Sequence, residues 1–195
     1  MRTKFDKEYY DHFYRNPSTQ VASRQDATTQ ADFIHAYLRH LNLPINSIID
    51  VGCGLGHHLS RLSEKFTASC SGFEISDYLC AEYGWSKGSV VDIDCPPADL
   101  VICYDVVEYL PDVDAHKAIE TIARITRSAL FFGALTKEDW SLCDQDRTDP
   151  EVCLRSSHWY QKRLHPHFLG VGGGLFLKQP TEAVIWTLDR LGMSG

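Results

Sequence analysis

The fold of this chain is decided by the stretch Ile48-Ile49-Asp50-Val51-Gly52-Cys53-Gly54-Leu55-Gly56-His57-His58-Leu59. Its apolar run stops at a glycine-rich turn and resumes with helical spacing, which predicts a strand, a tight turn and a helix. The glycines permit positive φ angles and leave no Cβ between the backbone and a bound molecule. Because the helix N-terminus adds free N–H groups, the turn suits a phosphate, or the carboxylate and ribose of a nucleoside ligand.

The spacing of the glycines separates two classes of nucleotide ligand. The dinucleotide fingerprint is G-x-G-x-x-G, whereas this turn reads G-x-G-x-G, so its third glycine comes one residue early. A second predicted strand, 68–73, ends at Glu74, and 74 − 52 = 22 residues separate Glu74 from Gly52. A carboxylate there can accept hydrogen bonds from both ribose hydroxyls and would repel a 2′-phosphate. A nucleotide-sugar or NAD-dependent oxidoreductase is therefore an alternative that the spacing disfavours.

Three segments together resemble a known family. Residues 50–56, 72–76 and 98–112 resemble the first, second and fourth motifs of class I S-adenosylmethionine-dependent methyltransferases, and among these a small, bacterial-type member. The resemblance covers roughly residues 45–136, and three motifs in the right order make it specific, whereas the glycine turn alone would be a weak signal. It implies an α/β fold with a doubly wound, mostly parallel seven-stranded sheet, an antiparallel last strand and flanking helices.

The resemblance also implies the cofactor, S-adenosylmethionine, with S-adenosylhomocysteine as the product. The residues that would bind it are Asp50, Gly52, Cys53, Gly54, Gly56, Glu74, Ile75, Ser89, Val90 and Tyr104. Many relatives have an acid at the position of Ser89 that accepts from the adenine amino group, and serine is a weaker acceptor. Related enzymes often carry histidine at the position of Tyr109, whose phenol is a poor base at neutral pH.

Composition restricts the class of protein. With 195 residues, 44% of them hydrophobic, the chain is predicted to form a single domain. Its predicted parts are the N-terminal helices or lid (1–44), the cofactor-binding core (45–136), and the acceptor loop with the C-terminal hairpin (137–195). No run approaches the roughly 18 apolar residues of a membrane span and no signal peptide opens the chain, so we expect a cytoplasmic protein without a membrane partner. The sequence predicts no oligomeric state.

The net charge of the chain indicates the class of methyl acceptor, and the number and spacing of the cysteines indicate whether their thiols are reduced. A formal charge of −7 without a Lys/Arg-rich block disfavours a nucleic acid and favours a small-molecule acceptor. The seven cysteines are odd in number and contain no C-x-x-C pair, which indicates reduced core thiols.

Helices and strands are predicted to alternate along the chain. An aromatic stripe over 5–15 indicates an amphipathic helix, which either packs on the sheet or forms a lid over the acceptor. The remaining predictions are helices after Ser23 up to Leu41, from 57 to 66, 76–83, 115–126 and 158–168, strands at 88–92, 100–103, 129–135 and 183–188, and a hairpin turn at 169–174.

The polar stretch 140–157 lacks periodicity and is predicted to form a loop over the strand tips, where loops carry specificity. Asp144, Asp146 and Asp149 could be oxygen ligands for a divalent metal. No glycine stands where a calcium loop needs its sharp turn, so no metal site is predicted.

A general base is needed only if the acceptor is a hydroxyl or a carboxylic acid, and histidine is the usual choice. His158 is the predicted base, and Tyr104, at a strand tip, is the second catalytic candidate. Further candidates for the pocket are His165, His167, Tyr109, Tyr10 and His12. The predicted function is S-adenosylmethionine-dependent O- or N-methylation of a small molecule. A module that binds the cofactor without turnover is the remaining alternative.

Overall fold

Helices and strands alternate through most of the computed structural model, which describes residues 4–186. The strands are β1 (Ser47–Val51), β2 (Ser69–Glu74), β3 (Ser86–Lys87), β4 (Ala98–Tyr104), β5 (Thr126–Gly133), β6 (Phe168–Gly172) and β7 (Leu175–Lys178). The helices are α1 (Lys7–Tyr10), α2 (Arg24–His40), α3 (His57–Lys65), α4 (Asp77–Tyr83), α5 (Asp112–Ile125), α6 (Lys137–Trp140) and α7 (Ser157–Leu164). A π-helix (Asp11–Arg15) continues α1, and a 3₁₀ turn (Val107–Tyr109) follows β4.

The seven strands form one sheet in the order β3-β2-β1-β4-β5-β7-β6. The five strands from β3 to β5 run parallel, and β7 runs antiparallel to both β5 and β6. This arrangement confirms the predicted mostly parallel seven-stranded sheet with an antiparallel last strand. The sheet order reverses between β1 and β4, so the carboxyl ends of these strands open a crevice in which ligands of α/β proteins bind.

Side chains of β4 alternate between two hydrophobic cores. Leu100 and Ile102 pack in the core with α2 and α3, whereas Val101 and Cys103 pack in the core with α5 and α7. A parallel strand covered on both faces reads as a continuous apolar run, which is how this strand was recognised in the sequence. No helix within residues 4–186 is long and apolar enough to cross a membrane.

The predicted third strand is wrong in position. Residues 90–92 form a turn, and the third strand is instead the two-residue β3, Ser86–Lys87. Ser89 starts the turn, because its carbonyl accepts from the N–H groups of Asp92 and Ile93. Val90 and Ile93 are buried all the same. Apolar residues can thus be buried by a turn as well as by a strand, and their pattern does not separate the two.

The predicted last strand is also wrong. Residues 183–186 form no strand, and positions 187 and 188 lie outside the described residues. The predicted glycine hairpin turn is present between β6 and β7, but the strand after it starts at Leu175, only two residues after Gly173. Leu175 and Leu177 are buried against β5 and occupy the place that the prediction gave to 183–188. The predicted helix 158–168 ends at Leu164, before β6.

Candidate active site

The glycine turn between β1 and α3 has the backbone that its sequence predicts. Gly52, Gly54 and Gly56 all have positive φ, at 70°, 52° and 71°. A Cβ on Gly52 would overlap Val106 and one on Gly56 would overlap Trp85, whereas a Cβ on Gly54 would have no atom within 4 Å. The first and third glycines therefore permit packing inside the protein, and Gly54 alone faces open space.

Glu74, the last residue of β2, organises this turn. Its carboxylate is 3% exposed and accepts from the N–H of Gly54 at 2.9 Å, of Ile75 at 2.7 Å and of Ser76 at 2.9 Å. The sequence identified Glu74 as a ligand for ribose but did not show these backbone bonds. An ionised carboxylate offers about four acceptor positions. Three of those of Glu74 are taken by N–H groups, and the carboxylate also accepts from the Tyr10 hydroxyl at 3.5 Å, a long contact that a ligand hydroxyl can replace.

A cavity of about 320 Å³ opens over the glycine turn, and it is called the first cavity below. Most of the predicted cofactor residues line it, namely Gly52, Cys53, Gly54, Glu74, Ile75, Ser89, Val90 and Tyr104. These residues come from the ends of β1, β2 and β4 and from the turn after β3. The structure thus brings together residues that lie up to 52 positions apart, as 104 − 52 = 52.

Three predicted site residues do not line the first cavity. Asp50 is buried in β1 beneath the turn, and burial, with the nearby charge of Glu74, raises its pKa to about 8. Gly56 packs against Trp85. His158 is exposed in the first turn of α7. Asp50 and Gly56 support the turn from within the protein, and His158 is not brought together with the other predicted residues.

Residues 5–15, called the N-terminal lid below, form one wall of the first cavity. Phe5, Tyr9, Tyr10 and Tyr14 line it, and the Tyr10 hydroxyl donates to Glu74 at 3.5 Å. The sequence offered a helix packed on the sheet or a lid over the acceptor, and the structure places these aromatic rings over the residues predicted to bind the cofactor. Burial raises the pKa of Tyr10, so this hydroxyl acts as a donor and not as a base.

Arg15 fastens the lid to α4. Its guanidinium donates to both carboxylate oxygens of Glu82, at 2.8 and 2.9 Å, and to the hydroxyl of Tyr78 at 2.5 Å. Arg61, on α3, makes a comparable two-pronged pair with Asp32 on α2, at 2.9 Å for both bonds. The two arginine side chains are similarly exposed, at 27% and 30%, but only Arg15 belongs to the lid, so the pairs provide a matched comparison.

Arg15→Ala is expected to weaken cofactor affinity by about two- to fivefold, because a half-exposed ion pair contributes little on its own but here helps to hold the lid closed. Titration calorimetry with S-adenosylhomocysteine measures the effect. Arg61→Ala is the control and should leave the affinity unchanged. Equal effects of the two substitutions would show that the Arg15 pair has no specific connection to the cavity.

A chain of hydrogen bonds leads from α3 to the tip of β4. Burial, with the charge of His57, lowers the pKa of His58 to about 4, so its imidazole is neutral at pH 7. Its Nε2 therefore donates to Gln30 Oε1, 2.7 Å away, and Gln30 Nε2 donates to the Tyr104 hydroxyl at 3.2 Å. Since the Tyr104 oxygen accepts this bond, its own hydrogen is free to donate to a ligand.

A second cavity, of about 450 Å³, adjoins the first. Gln30, Tyr104 and Asp105 line both cavities, which therefore meet at the tip of β4. The rest of the second cavity is formed by α2, by β5 and the two residues after it, by α6 and by the β6–β7 turn. The residues are Phe33, Phe131, Phe132, Gly133, Ala134, Leu135, Asp139, Gly173 and Gly174. Sequence reasoning missed this cavity, because its residues come from segments without a shared motif.

Two carboxyl groups lie close together at this place, that of Asp105 at the junction and that of Glu108, which lines neither cavity. Burial raises the pKa of Asp105 and of Glu108, and the charge of Asp105 raises the pKa of Glu108 further. Glu108 Oε1 accepts from the N–H of Leu135 at 3.1 Å, whereas its Oε2 is buried with no hydrogen-bond partner among the described residues. Asp105 has a φ of 56°, a strained conformation that aspartate tolerates better than most residues.

The polar loop after β5 packs against other parts of the protein. Asp149 is buried, accepts from the Tyr9 hydroxyl at 3.2 Å and pairs with Lys4 at 3.1 Å. Asp144 and Asp146 are exposed. Within residues 4–186, no group of three or more His, Cys, Asp or Glu side chains is arranged to hold a metal ion. The structure therefore adds no support to the metal alternative.

The other histidine and tyrosine candidates lie in different places. His165 is exposed, and His167 pairs with Glu120 at 3.1 Å, so neither lines a cavity. Tyr109 lines the first cavity, where its hydroxyl meets that of Tyr9 at 3.1 Å. Burial raises the pKa of Tyr109, so it is no better a base than an exposed phenol.

Comparison with known proteins defines the class. A family model described as a methyltransferase domain matches residues 17–163, which is more than half of the chain. The chain belongs to this family, and its fold is that of a class I S-adenosylmethionine-dependent methyltransferase. Its cofactor is S-adenosylmethionine, which suits the open space beside Gly54 and the carboxylate of Glu74. No curated protein sequence matches the chain significantly.

Solved structures share the fold at low identity. DesVI of Streptomyces venezuelae is 17% identical, with 80% of this chain and 92% of that chain covered and a TM-score of 0.60. The magnesium protoporphyrin IX methyltransferase ChlM of Synechocystis PCC 6803, with bound S-adenosylhomocysteine, is 18% identical. The match covers 78% of this chain and 83% of that chain, with a TM-score of 0.58.

The amino pentose methyltransferase CalS10 of Micromonospora echinaspora, with bound S-adenosylmethionine, is 20% identical over 57% of this chain and 52% of that chain, with a TM-score of 0.50. The chain spans about half the length of CalS10 and of the sugar N-methyltransferase KedS8 of Streptoalloteichus. At these identities the similarity shows the fold and does not select an acceptor.

Proposed function

We propose that this chain transfers the methyl group of S-adenosylmethionine to a small-molecule acceptor, on oxygen or nitrogen. The observation that carries the proposal is the junction of two cavities at Tyr104 and Asp105. A donor in the first cavity and an acceptor in the second would face each other there. Since the sulfonium activates its own methyl group, holding the two partners in line is the main contribution that the protein has to make.

The first cavity supplies a position for each part of the cofactor. The backbone at Gly54 leaves room for close approach, and Glu74 can accept from a ribose hydroxyl in place of Tyr10. Ile75, Ser89 and Val90 also line the first cavity and would surround the adenine. Asp50 and Gly56 would act through the turn and not by contact.

Tyr104 is the residue best placed to orient the acceptor. Its hydroxyl accepts from Gln30, which leaves its hydrogen free to donate at the junction of the cavities. Its ring is stacked on Phe131, with the centroids 5.2 Å apart and the planes 4° from parallel, so its direction is fixed. His158, the base predicted from the sequence, has no comparable position and takes no part in this proposal.

A small molecule is favoured over a nucleic acid by charge. The chain has a formal charge of −7, and no lysine, arginine or histidine is present among the described residues that line the second cavity. A phosphate backbone requires the opposite sign of charge.

Calorimetric titration followed by a transfer assay tests the function. S-adenosylhomocysteine should bind at one site per chain, and NAD should not bind. Incubation with methyl-labelled S-adenosylmethionine and an extract of the source organism should then place the label in the small-molecule fraction. Binding without any transfer would favour the inactive module, label in the nucleic-acid fraction would overturn the acceptor class, and NAD binding would favour an oxidoreductase.

A further inference from the structure

We propose that the second cavity takes an acceptor with an amino group on a ring or other apolar body, and that Asp105 and Asp139 recognise the nitrogen. The inference rests on the proposed function and assigns the class of its acceptor. Of the two atoms that the sequence left open for methylation, oxygen and nitrogen, it selects nitrogen.

The charge of the cavity is the first argument. Asp105 and Asp139 line it, and Glu108 lies close enough to Asp105 for the charge of Asp105 to raise the pKa of Glu108. Among the described residues of the wall there is no cation to balance these carboxyl groups. A carboxylate or phosphate on the acceptor would meet like charge, whereas an ammonium group would form charge-assisted hydrogen bonds.

The apolar wall is the second argument. Phe33, Phe131 and Tyr104 are aromatic residues of the wall, and the rings of Tyr104 and Phe131 form a parallel stack. Phe132 also lines the cavity, but its ring packs against Tyr160 in the core on the other face of the sheet. Such a wall binds the ring or hydrocarbon part of a ligand, and the face of an aromatic ring also attracts a cation. The combination of aromatic rings with carboxylates therefore selects an apolar amine over a sugar alcohol or an acid.

The position of Asp105 is the third argument. It lines both cavities, so a nitrogen bound to its carboxylate would lie at the junction where the methyl group arrives. Its φ of 56° is maintained by the bond from its N–H to the carbonyl of Gly133 at 3.1 Å and by the tight turn that follows β4. Backbone strain of this kind is concentrated at functional sites, where it aims a side chain.

The transfer can be written with all atoms accounted for. The bound ammonium group first gives one proton to the carboxylate of Asp105, which frees the nitrogen lone pair. This lone pair forms the new N–C bond, the C–S bond breaks, and its electron pair remains on the sulfur of S-adenosylhomocysteine. The product leaves as an alkylammonium ion, and Asp105 returns its proton to solvent. Because burial raises the pKa of Asp105 and of Glu108, this pair holds a proton more readily than an exposed carboxylate.

The test uses two matched series of probes: benzylamine, benzyl alcohol and benzoate, and cyclohexylamine, cyclohexanol and cyclohexanecarboxylate. Their binding to the full chain saturated with S-adenosylhomocysteine is measured by ligand-observed NMR titration. In each series the amine should bind about tenfold more tightly than the alcohol, as expected for a charge-assisted hydrogen bond, and the acid should bind least.

Substitutions locate the binding. Asp105→Asn keeps the backbone conformation, because asparagine also tolerates positive φ, and should weaken amine binding by about ten- to a hundredfold. Asp139→Asn, at an exposed position on the rim, should have a smaller effect, about two- to fivefold. Asp146→Asn removes the same charge from an exposed position outside both cavities and should change nothing.

Three results would overturn the inference: alcohols or acids that bind as tightly as the amines, no binding by either amine at its solubility limit, or equal effects of Asp105→Asn and Asp146→Asn. The saturation of the chain with S-adenosylhomocysteine is checked first. If that step fails, the proposed function itself is contradicted, so the two failures are distinguishable.

Discussion

Gly54→Val is expected to lower the affinity for S-adenosylhomocysteine by more than about a hundredfold, because a branched side chain would fill the space in which the ligand approaches the backbone. The structure makes this prediction sharper than the sequence could. All three glycines of the turn have positive φ, but only beside Gly54 does a Cβ meet no protein atom. The substitution therefore acts on the ligand and not on the packing of the turn.

Gly84→Val is the matched control for this experiment. Gly84 has a φ of 73°, a Cβ there would also have no atom within 4 Å, and it caps α4 outside both cavities. Both variants should lose a similar free energy of unfolding, about 1–2 kcal/mol, from the strain of a β-branched residue at positive φ. Calorimetry should show near-native affinity for Gly84→Val. Native affinity for Gly54→Val would mean that the turn does not contact the cofactor.

The sequence predicts two kinds of site residue: those that belong to one short segment, and those that stand at the end of a strand. The glycine turn follows from residue types that few other structures require, and Glu74 follows from its place at the tip of the second strand. Tyr104 was found in the same way. Because parallel strands bring their carboxyl ends to one edge, a correct strand order is enough to bring these residues together.

The parts that were missed depend on packing between distant segments. The second cavity needs Phe33 of α2, Asp139 of α6 and Gly173 of the β6–β7 turn to converge, and no spacing in the sequence records this. The sequence predicts His158 as the base, yet in the first turn of α7 its side chain is exposed. Loop length and polarity predict where a loop lies, but not which of its side chains point inward.

Arg155 is the clearest residue that the sequence did not reveal. It is one arginine at the end of a polar loop, without a motif around it. In the structure its side chain is 4% exposed and donates to the Asp112 carboxylate at 2.8 Å, to the carbonyl of Val107 at 3.3 Å and to the carbonyl of Leu110. It also lies over the ring of Trp159, 4.8 Å from its centroid.

These bonds hold segment 105–110, which contributes the carboxyl groups of Asp105 and Glu108 to the candidate site. Val107 and Leu110 lie on either side of Glu108, and Asp105 precedes Val107 by two residues. The same arginine is tied to the start of α6 by its backbone, because its carbonyl accepts from the N–H of Lys137 at 2.8 Å. Arg155 therefore links the walls of the second cavity on both sides, although it lines neither cavity.

Arg155→Met is expected to lower the free energy of unfolding by about 3 kcal/mol, because methionine fills part of the space but leaves buried carbonyl groups without their donors. Urea denaturation followed by circular dichroism measures the change. Arg147→Met is the control in the same loop: Arg147 is exposed and pairs only with Asp144 among the described residues, at 3.5 Å, so its replacement should shift stability by no more than about 0.5 kcal/mol. A loss for Arg155→Met as small as that of the control would show that the buried guanidinium does not stabilise the segment, and the carboxyl pair would then have to be held in place by β4 and α5 alone.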